Sequence, residues 1–203
     1  MAPLAPFTAK DDDKDDKDKR AGMGGKLEEA LNDSRFVLIT GEINDKVARE
    51  ATSRLLALAQ LSDDPINLMI SSPGGHVESG DMIHDVIRFI RPKVNAIGSG
   101  WVASAGALIY VAVPIERRFC LPKTRFLLHE PRGGVGGQAS DIEIQATEIR
   151  KMRERFYEIF SEATGQSVEK LQADMDRDFW LTTDEAKDYG LLGKVITSVN
   201  DLG

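Results

Sequence analysis

Ser104, His129 and Asp178 have the residue types and chain order of a nucleophile, a general base and an orienting acid. A serine hydroxyl is a weak nucleophile until a base takes its proton, and that base needs a third group to fix its tautomer. Ser104 lies in Gly100-Trp101-Val102-Ala103-Ser104-Ala105-Gly106, a predicted strand-to-helix turn whose small residues let a substrate backbone approach. A helix N-terminus there offers free N–H groups and positive potential to a developing oxyanion. On local grounds alone a simple helix N-cap is the plainer assignment for this serine.

Ser72-Pro73-Gly74-Gly75 follows a predicted strand. Glycines let backbone N–H groups point into a site, so one donor from this loop and one from the residue after Ser104 would make a two-donor oxyanion hole. Taken in isolation, the same four residues are a tight turn. His129 closes the RFLL strand before Glu130-Pro131, a strand-end position that suits a general base. His76 and His84 are the other two histidines. Eight helical residues separate their side chains by about 12 Å, too far to share one metal ion, and no metal site is expected. Asp178 stands among large apolar residues in Arg177-Asp178-Phe179-Trp180, and the spacing predicts a buried acid that needs a partner. A histidine N–H would satisfy it; a cap or an ion pair with Arg177 would too. The order Ser–His–Asp and the Val102 two residues before Ser104 exclude the Gly-x-Ser-x-Gly hydrolase pattern.

The elements that must position these groups alternate strand and helix. Strands are predicted at 35–40, 66–71, 94–100, 125–128 and 194–197. Asn44 caps a helix with Val47, Ala51, Leu55, Leu58 and Leu61 on one face. A second helix carries Ile83, Val86, Ile87 and Ile90 and stops before Pro92, and an apolar buried helix begins near Ser104. The longest helix is predicted over 139–164, with Ile142, Ile149, Phe156 and Phe160 on one stripe and Gly165 as its stop. A short helix follows near 168–175, and Thr182 to Glu185 reads as a capping box. Repeated strand–helix units predict an α/β fold.

The 203 residues suit one domain at 26–203 behind a charged tail at 1–25, whose KDDDKDDKDKR run has nothing to bury. That tail is either a solvated appendage or a flexible gate or removable pro-segment. A net charge of −7 without a basic patch argues against nucleic acid. The most apolar stretch, 103–115, is too short to span a bilayer, MAPLAPFTAK lacks the pattern of a secretory signal, and the lone Cys120 suits a reducing compartment. The expected location is the cytoplasm.

ISSPGGHVESG, GWVASAGALI, RRFCLP, LLHEPRGG, GQASDIEI, TGQS and DRDFWLT fall in one order and spacing from about Arg35 to Ile196. In that pattern the chain resembles the proteolytic subunit of the ATP-dependent Clp protease. The resemblance implies the Clp protease/crotonase α/β fold, with the long helix as a protruding handle where two rings meet. It implies a serine endopeptidase with Ser104 as nucleophile, His129 as base and Asp178 as orienting acid, and with the N–H groups of Gly75 and Ala105 as oxyanion donors. It also implies two stacked seven-membered rings around a chamber. No cofactor belongs to the chain itself: ATP is spent by an AAA+ unfoldase of the ClpX or ClpA kind, which threads unfolded proteins inside. Asp176 and Arg177 match charged positions that link ring contact to triad alignment. The chain departs from the family in its acidic-and-basic tail, in Ala105 where methionine is common, and in the unfoldase-docking positions Asn67, Met69, Phe89, Ile97, Ser99, Phe119 and Leu121. There Asn67 and Ser99 are polar, which weakens burial of an apolar partner loop and fits a divergent second paralogue. Two other functions share some of these features: a crotonase-type acyl-CoA enzyme, and a non-catalytic ring subunit that regulates a paralogue.

Overall fold

A computed structural model describes residues 25–132 and 136–202. The expected tail at 1–25 lies outside them except for Gly25, and so do three residues of the Gly-rich segment after Arg132. The chain divides into two units, Met1–Phe36 and Val37–Gly203. In the first, a helix unforeseen from the sequence, α1 (residues 25–33), ends where Arg35 takes a positive φ of 54°.

The second unit is built on one sheet. Its strands are β1 (Phe36–Thr40), β2 (Ile66–Ser72), β3 (Val94–Ala103), β4 (Arg118–Cys120), β5 (Arg125–Leu128), β6 (Phe179–Leu181) and β7 (Lys194–Val195). The order is β1-β2-β3-β4-β7, with β5 paired to β3 and β6. Strand β3 is long enough to serve two partners on one side. Its first half pairs in parallel with β4 through Ala96–Gly98, and its second half with β5 through Trp101–Ala103. The β5–β6 pair is antiparallel. The sequence predicts neither β4 nor β6, each three residues long, and overextends β7, which stops at Val195. Strands this short owe their existence to a neighbour rather than to their own pattern.

The helices α2 (Asp45–Leu61), α3 (Val77–Phe89), α4 (Ala105–Tyr110), α5 (Ala139–Thr164), α6 (Val168–Met175) and α7 (Thr183–Asp188) complete the unit. Asn44 Oδ1 accepts from the N–H groups of Lys46 (3.0 Å) and Val47 (3.1 Å), so it caps α2 as predicted. The Thr182–Glu185 capping box and the left-handed Gly165 stop (φ 74°) also form. The core runs through Leu55, Leu58, Ile83, Leu108, Ile109, Tyr110, Phe126 and Phe160, all essentially inaccessible; each contributes about 1.5–3 kcal/mol by burial.

Three apolar expectations are corrected. Leu61, on the last turn of α2, is exposed. The buried helix expected from Ser104 stops after six residues, and the chain stays buried through Val113 in turns instead. The stripe on α5 is buried only at Phe156 and Phe160, whereas Ile142 and its neighbour Ile144 are exposed. The start of this 26-residue helix, from Ala139 through Gln145, is therefore exposed throughout, in keeping with a protruding handle.

Arg118 explains why α4 can stop inside the core. It is 3% exposed, and Nε donates to Val113 O (2.7 Å), Nη1 to Ala163 O (2.7 Å) and Nη2 to Val111 O (3.4 Å). These carbonyls belong to the chain just past α4 and to the last turn of α5, the negative ends of both helices. Burial lowers the guanidinium to about 10, which leaves it charged at neutral pH. Arg118→Met leaves three buried carbonyls without donors. It should lower the unfolding free energy by about 3 kcal/mol, read as a fall in the urea midpoint, and Arg118→Lys should recover part of that loss.

Candidate active site

Ser104 sits at the hinge between β3 and α4, and its N–H donates to Leu127 O of β5 at 2.9 Å. Its backbone lies at φ 53°, ψ −121°, and its side chain makes no capping hydrogen bond. An N-cap needs extended backbone and a hydroxyl turned onto the first N–H groups of the helix. Ser104 has neither, so the plainer assignment from sequence does not hold. A non-glycine residue in this region costs about 1–3 kcal/mol. That strain turns the hydroxyl out of the helix axis, as at the sharp serine turns of α/β-hydrolases.

The room for this turn comes from glycine. Gly74 lies at φ 96°, and a Cβ there would stand 2.5 Å from Ser104 Cβ and 3.0 Å from Ser104 Oγ. A Cβ on Gly80 would press Ala105 Cβ at 3.2 Å. Gly75, at φ 146°, is held against the Ile43 backbone: Ile43 N–H donates to Gly74 O (2.8 Å) and His76 N–H to Ile43 O (2.9 Å). Any side chain at Gly75 would overlap the Ile43 carbonyl. Ser72 Oγ takes the Gly74 N–H (3.0 Å) and itself donates to Gly41 O (2.6 Å). Among the described residues the N–H groups of Gly75 and Ala105 donate to nothing in the chain. Both remain available to an oxyanion.

Strand register brings His129 and Asp178 together. Leu128 of β5 pairs with Phe179 of β6, so the next residue on one strand, His129, meets the preceding one on the other, Asp178. His129 Nδ1 lies 3.1 Å from Asp178 Oδ1. Asp178 is not the buried acid expected from its apolar neighbours: its side chain is 49% exposed, because it opens a three-residue strand at the sheet edge. The His129 hydrogen bond, followed by the charge of Arg132, holds its carboxyl below the usual range. Glu130 fixes the same strand end, with N–H to Met175 O (3.0 Å) and a carboxylate that accepts from Tyr157 Oη (2.9 Å) and Arg153 (3.4 Å). No hydrogen bond joins Ser104 Oγ to His129 among the described residues. Serine–base contacts commonly tighten only when substrate binds.

Two further features escaped the sequence. Arg132 Nη2 donates to the same Asp178 Oδ1 at 2.7 Å; an arginine inside the HEPRGG run was its only signal. A cleft of about 230 Å³ adjoins Gly75 and is walled by Val77, Pro131, Arg132, Ile149 and Met152. It suits an apolar side chain of a bound peptide.

The remaining candidates lie elsewhere. His76 contacts Ser79, Asp45 and Glu78, and His84 is buried beside Asp85, with burial lowering its basicity. Among the described residues no group of three or more potential ligands could hold a metal ion. Asp176 and Arg177 are exposed and face each other at 3.6 Å. Of the docking positions, Asn67, Met69, Ile97 and Phe119 stand side by side through the β2–β3–β4 registers, while Phe89 is 81% exposed at the end of α3. The polar character there is a built network: Asn95 Nδ2 donates to Asn67 Oδ1 (2.9 Å) and Arg117 Nη1 to Asn95 Oδ1 (2.8 Å).

Comparison with known proteins places the chain in a family. Residues 20–199 match the model of the Clp protease family. The chain is 58% identical over 192 residues to the ATP-dependent Clp protease proteolytic subunit 3 of Rhizobium etli, covering 95% of this chain and 99% of that one. It is 54% identical over 193 residues to proteolytic subunit 2 of Pseudomonas aeruginosa, covering 93% and 96%. The solved structure of ClpP1 from Listeria monocytogenes superposes with a TM-score of 0.80 at 49% identity, over 87% of this chain and 99% of that one. A single-residue mutant of the same Listeria protein gives 0.82 at 50% identity over the same shares. The acyl-CoA alternative is not favoured by any of these. With a matching model over most of its length, and relatives far above 30% identity, this chain belongs to the Clp protease family.

Proposed function

We propose that the chain acts as the proteolytic subunit of an ATP-dependent Clp protease, a serine endopeptidase in which Ser104, His129 and Asp178 form the triad. The observation that carries the triad is the strained Ser104 backbone, with its hydroxyl unused as a cap, beside the strand ends that join His129 to Asp178. In this mechanism His129 Nε2 takes the Ser104 hydroxyl proton as Oγ attacks the carbonyl carbon of the scissile peptide. The negative charge that develops on the carbonyl oxygen is received by the N–H groups of Gly75 and Ala105. The imidazolium then gives its proton to the departing amine, leaving an ester on Ser104. His129 next deprotonates a water that hydrolyses this ester and restores the serine. Asp178 stays ionised throughout and holds Nδ1–H towards itself.

The chemistry draws on no cofactor of the chain; ATP is spent by the partner. Association into rings and with a Clp ATPase goes with the family. The finer assembly we propose is two stacked seven-membered rings, with an AAA+ unfoldase of the ClpX or ClpA kind delivering unfolded chains. The exposed start of α5, with Ile142 and Ile144 on it, favours ring-to-ring contact there. The Asn67–Asn95–Arg117 network disfavours a purely apolar docking loop. No helix among the described residues is long and apolar enough to cross a membrane. We place the protein in the cytoplasm, in keeping with a single thiol, Cys120, which burial raises to about 11 and so keeps unreactive.

Ser104→Ala should abolish peptide cleavage and fluorophosphonate labelling while leaving the circular dichroism spectrum unchanged; full turnover by this variant sinks the assignment. Asp178→Asn should lower kcat by about 10⁴-fold through the wrong imidazole tautomer, with the oligomer intact. Light scattering should return the mass of a ring assembly at micromolar concentration, and a monomer at every concentration would contradict the chamber.

A further inference from the structure

The geometry points to Arg132 as a positioning residue of the active site: it fixes the Asp178 carboxylate and sets a second positive charge on the oxygen that His129 shares. This rests on the triad proposed above. Asp178 Oδ1 accepts two hydrogen bonds, and the guanidinium bond is the shorter, 2.7 Å against 3.1 Å from His129 Nδ1. A carboxylate in a triad attracts the proton of its histidine and favours the imidazolium. A cation on the same oxygen opposes that pull, so the imidazole loses its proton more readily.

The arrangement leaves Arg132 as the principal opposing charge. Facing Asp178 are His129 from the end of β5 and Arg132 from the segment that follows it. Glu130 is turned away to Tyr157 and Arg153 of α5. Asp176 and Arg177, before β6, are solvated and engage each other. Arg125 of β5 stacks on Trp180, 4.3 Å from its ring centroid. Because Asp178 opens an edge strand and is half exposed, its carboxylate would otherwise be free to rotate about a single hydrogen bond. Arg132 supplies the second tether, and Pro131 before it restricts the backbone that carries the tether.

The test is the rate of fluorophosphonate labelling at Ser104 as a function of pH, which reports the base directly and does not require an unfoldase. Arg132→Leu keeps much of the aliphatic bulk and removes the charge. Its acid-side inflection should move up by about 0.5–1 pH unit, the lower end for a neighbouring charge because the pair is half exposed. Arg132→Lys restores the charge and should bring the inflection back to that of the unaltered protein. A role limited to loop packing would change the plateau rate and leave the inflection where it was. Labelling of Ser104 in all three proteins with one common inflection overturns the proposal while the triad stands. Absence of Ser104 labelling in all three, as in the Ser104→Ala control, overturns the triad assignment and this inference with it.

Discussion

Strand β5 is four residues long, and both of its edges are in use. On one side it runs parallel to β3, so that Ala103 faces Leu127; on the other it runs antiparallel to β6, so that Leu128 faces Phe179. Those two registers are what gather Ser104, His129 and Asp178, which are separated by 25 and 49 residues in sequence, at one end of the sheet. A slip of one residue on either edge would reverse the side-chain directions and dismantle the site. The rest of the second unit serves that constraint. Arg118 ends α4 inside the core, the paired Gly74 and Gly75 let β2 and its loop close on Ser104, and Glu130 anchors the outgoing strand to α5.

The fold was legible wherever a pattern was local. Asn44, Gly165 and the Thr182–Glu185 box each declare a helix end through their own backbone chemistry, and the bounds of α5 and α6 follow from periodicity with those stops. What stayed hidden was non-local. The strands β4 and β6 are too short to show alternation and exist because a longer strand offers hydrogen bonds. The apolar stripe of α5 shows which residues share a face, but periodicity cannot say whether the surface that covers it belongs to the same subunit.

The site divides in the same way. Residue types and order nominated Ser104, His129 and Asp178, and the run of family-like motifs gave them roles. No residue pattern could reveal the positive φ at Ser104, which separates a nucleophile-like turn from a cap. The exposure of Asp178 was misjudged because Phe179 and Trp180 suggested a buried neighbourhood, whereas an edge strand places alternate residues in solvent. Arg132 could be placed on Asp178 only once the β5–β6 register was known.

The three-residue length of β6 carries a consequence for how activity could be lost. Ser104 directly follows the ten-residue central strand β3 and precedes the buried Ala105, whereas Asp178 depends on a short edge strand with one neighbour. Edge segments of this kind detach by local opening at a free energy well below that of global unfolding. A subunit could therefore keep Ser104, its hydrophobic core and its outline in place while Asp178 drifts away from His129. With Asp178 in the triad proposed above, catalytic competence would hang on a small cooperative segment, and a contact that clamps or frees β6 would act on it as a rheostat.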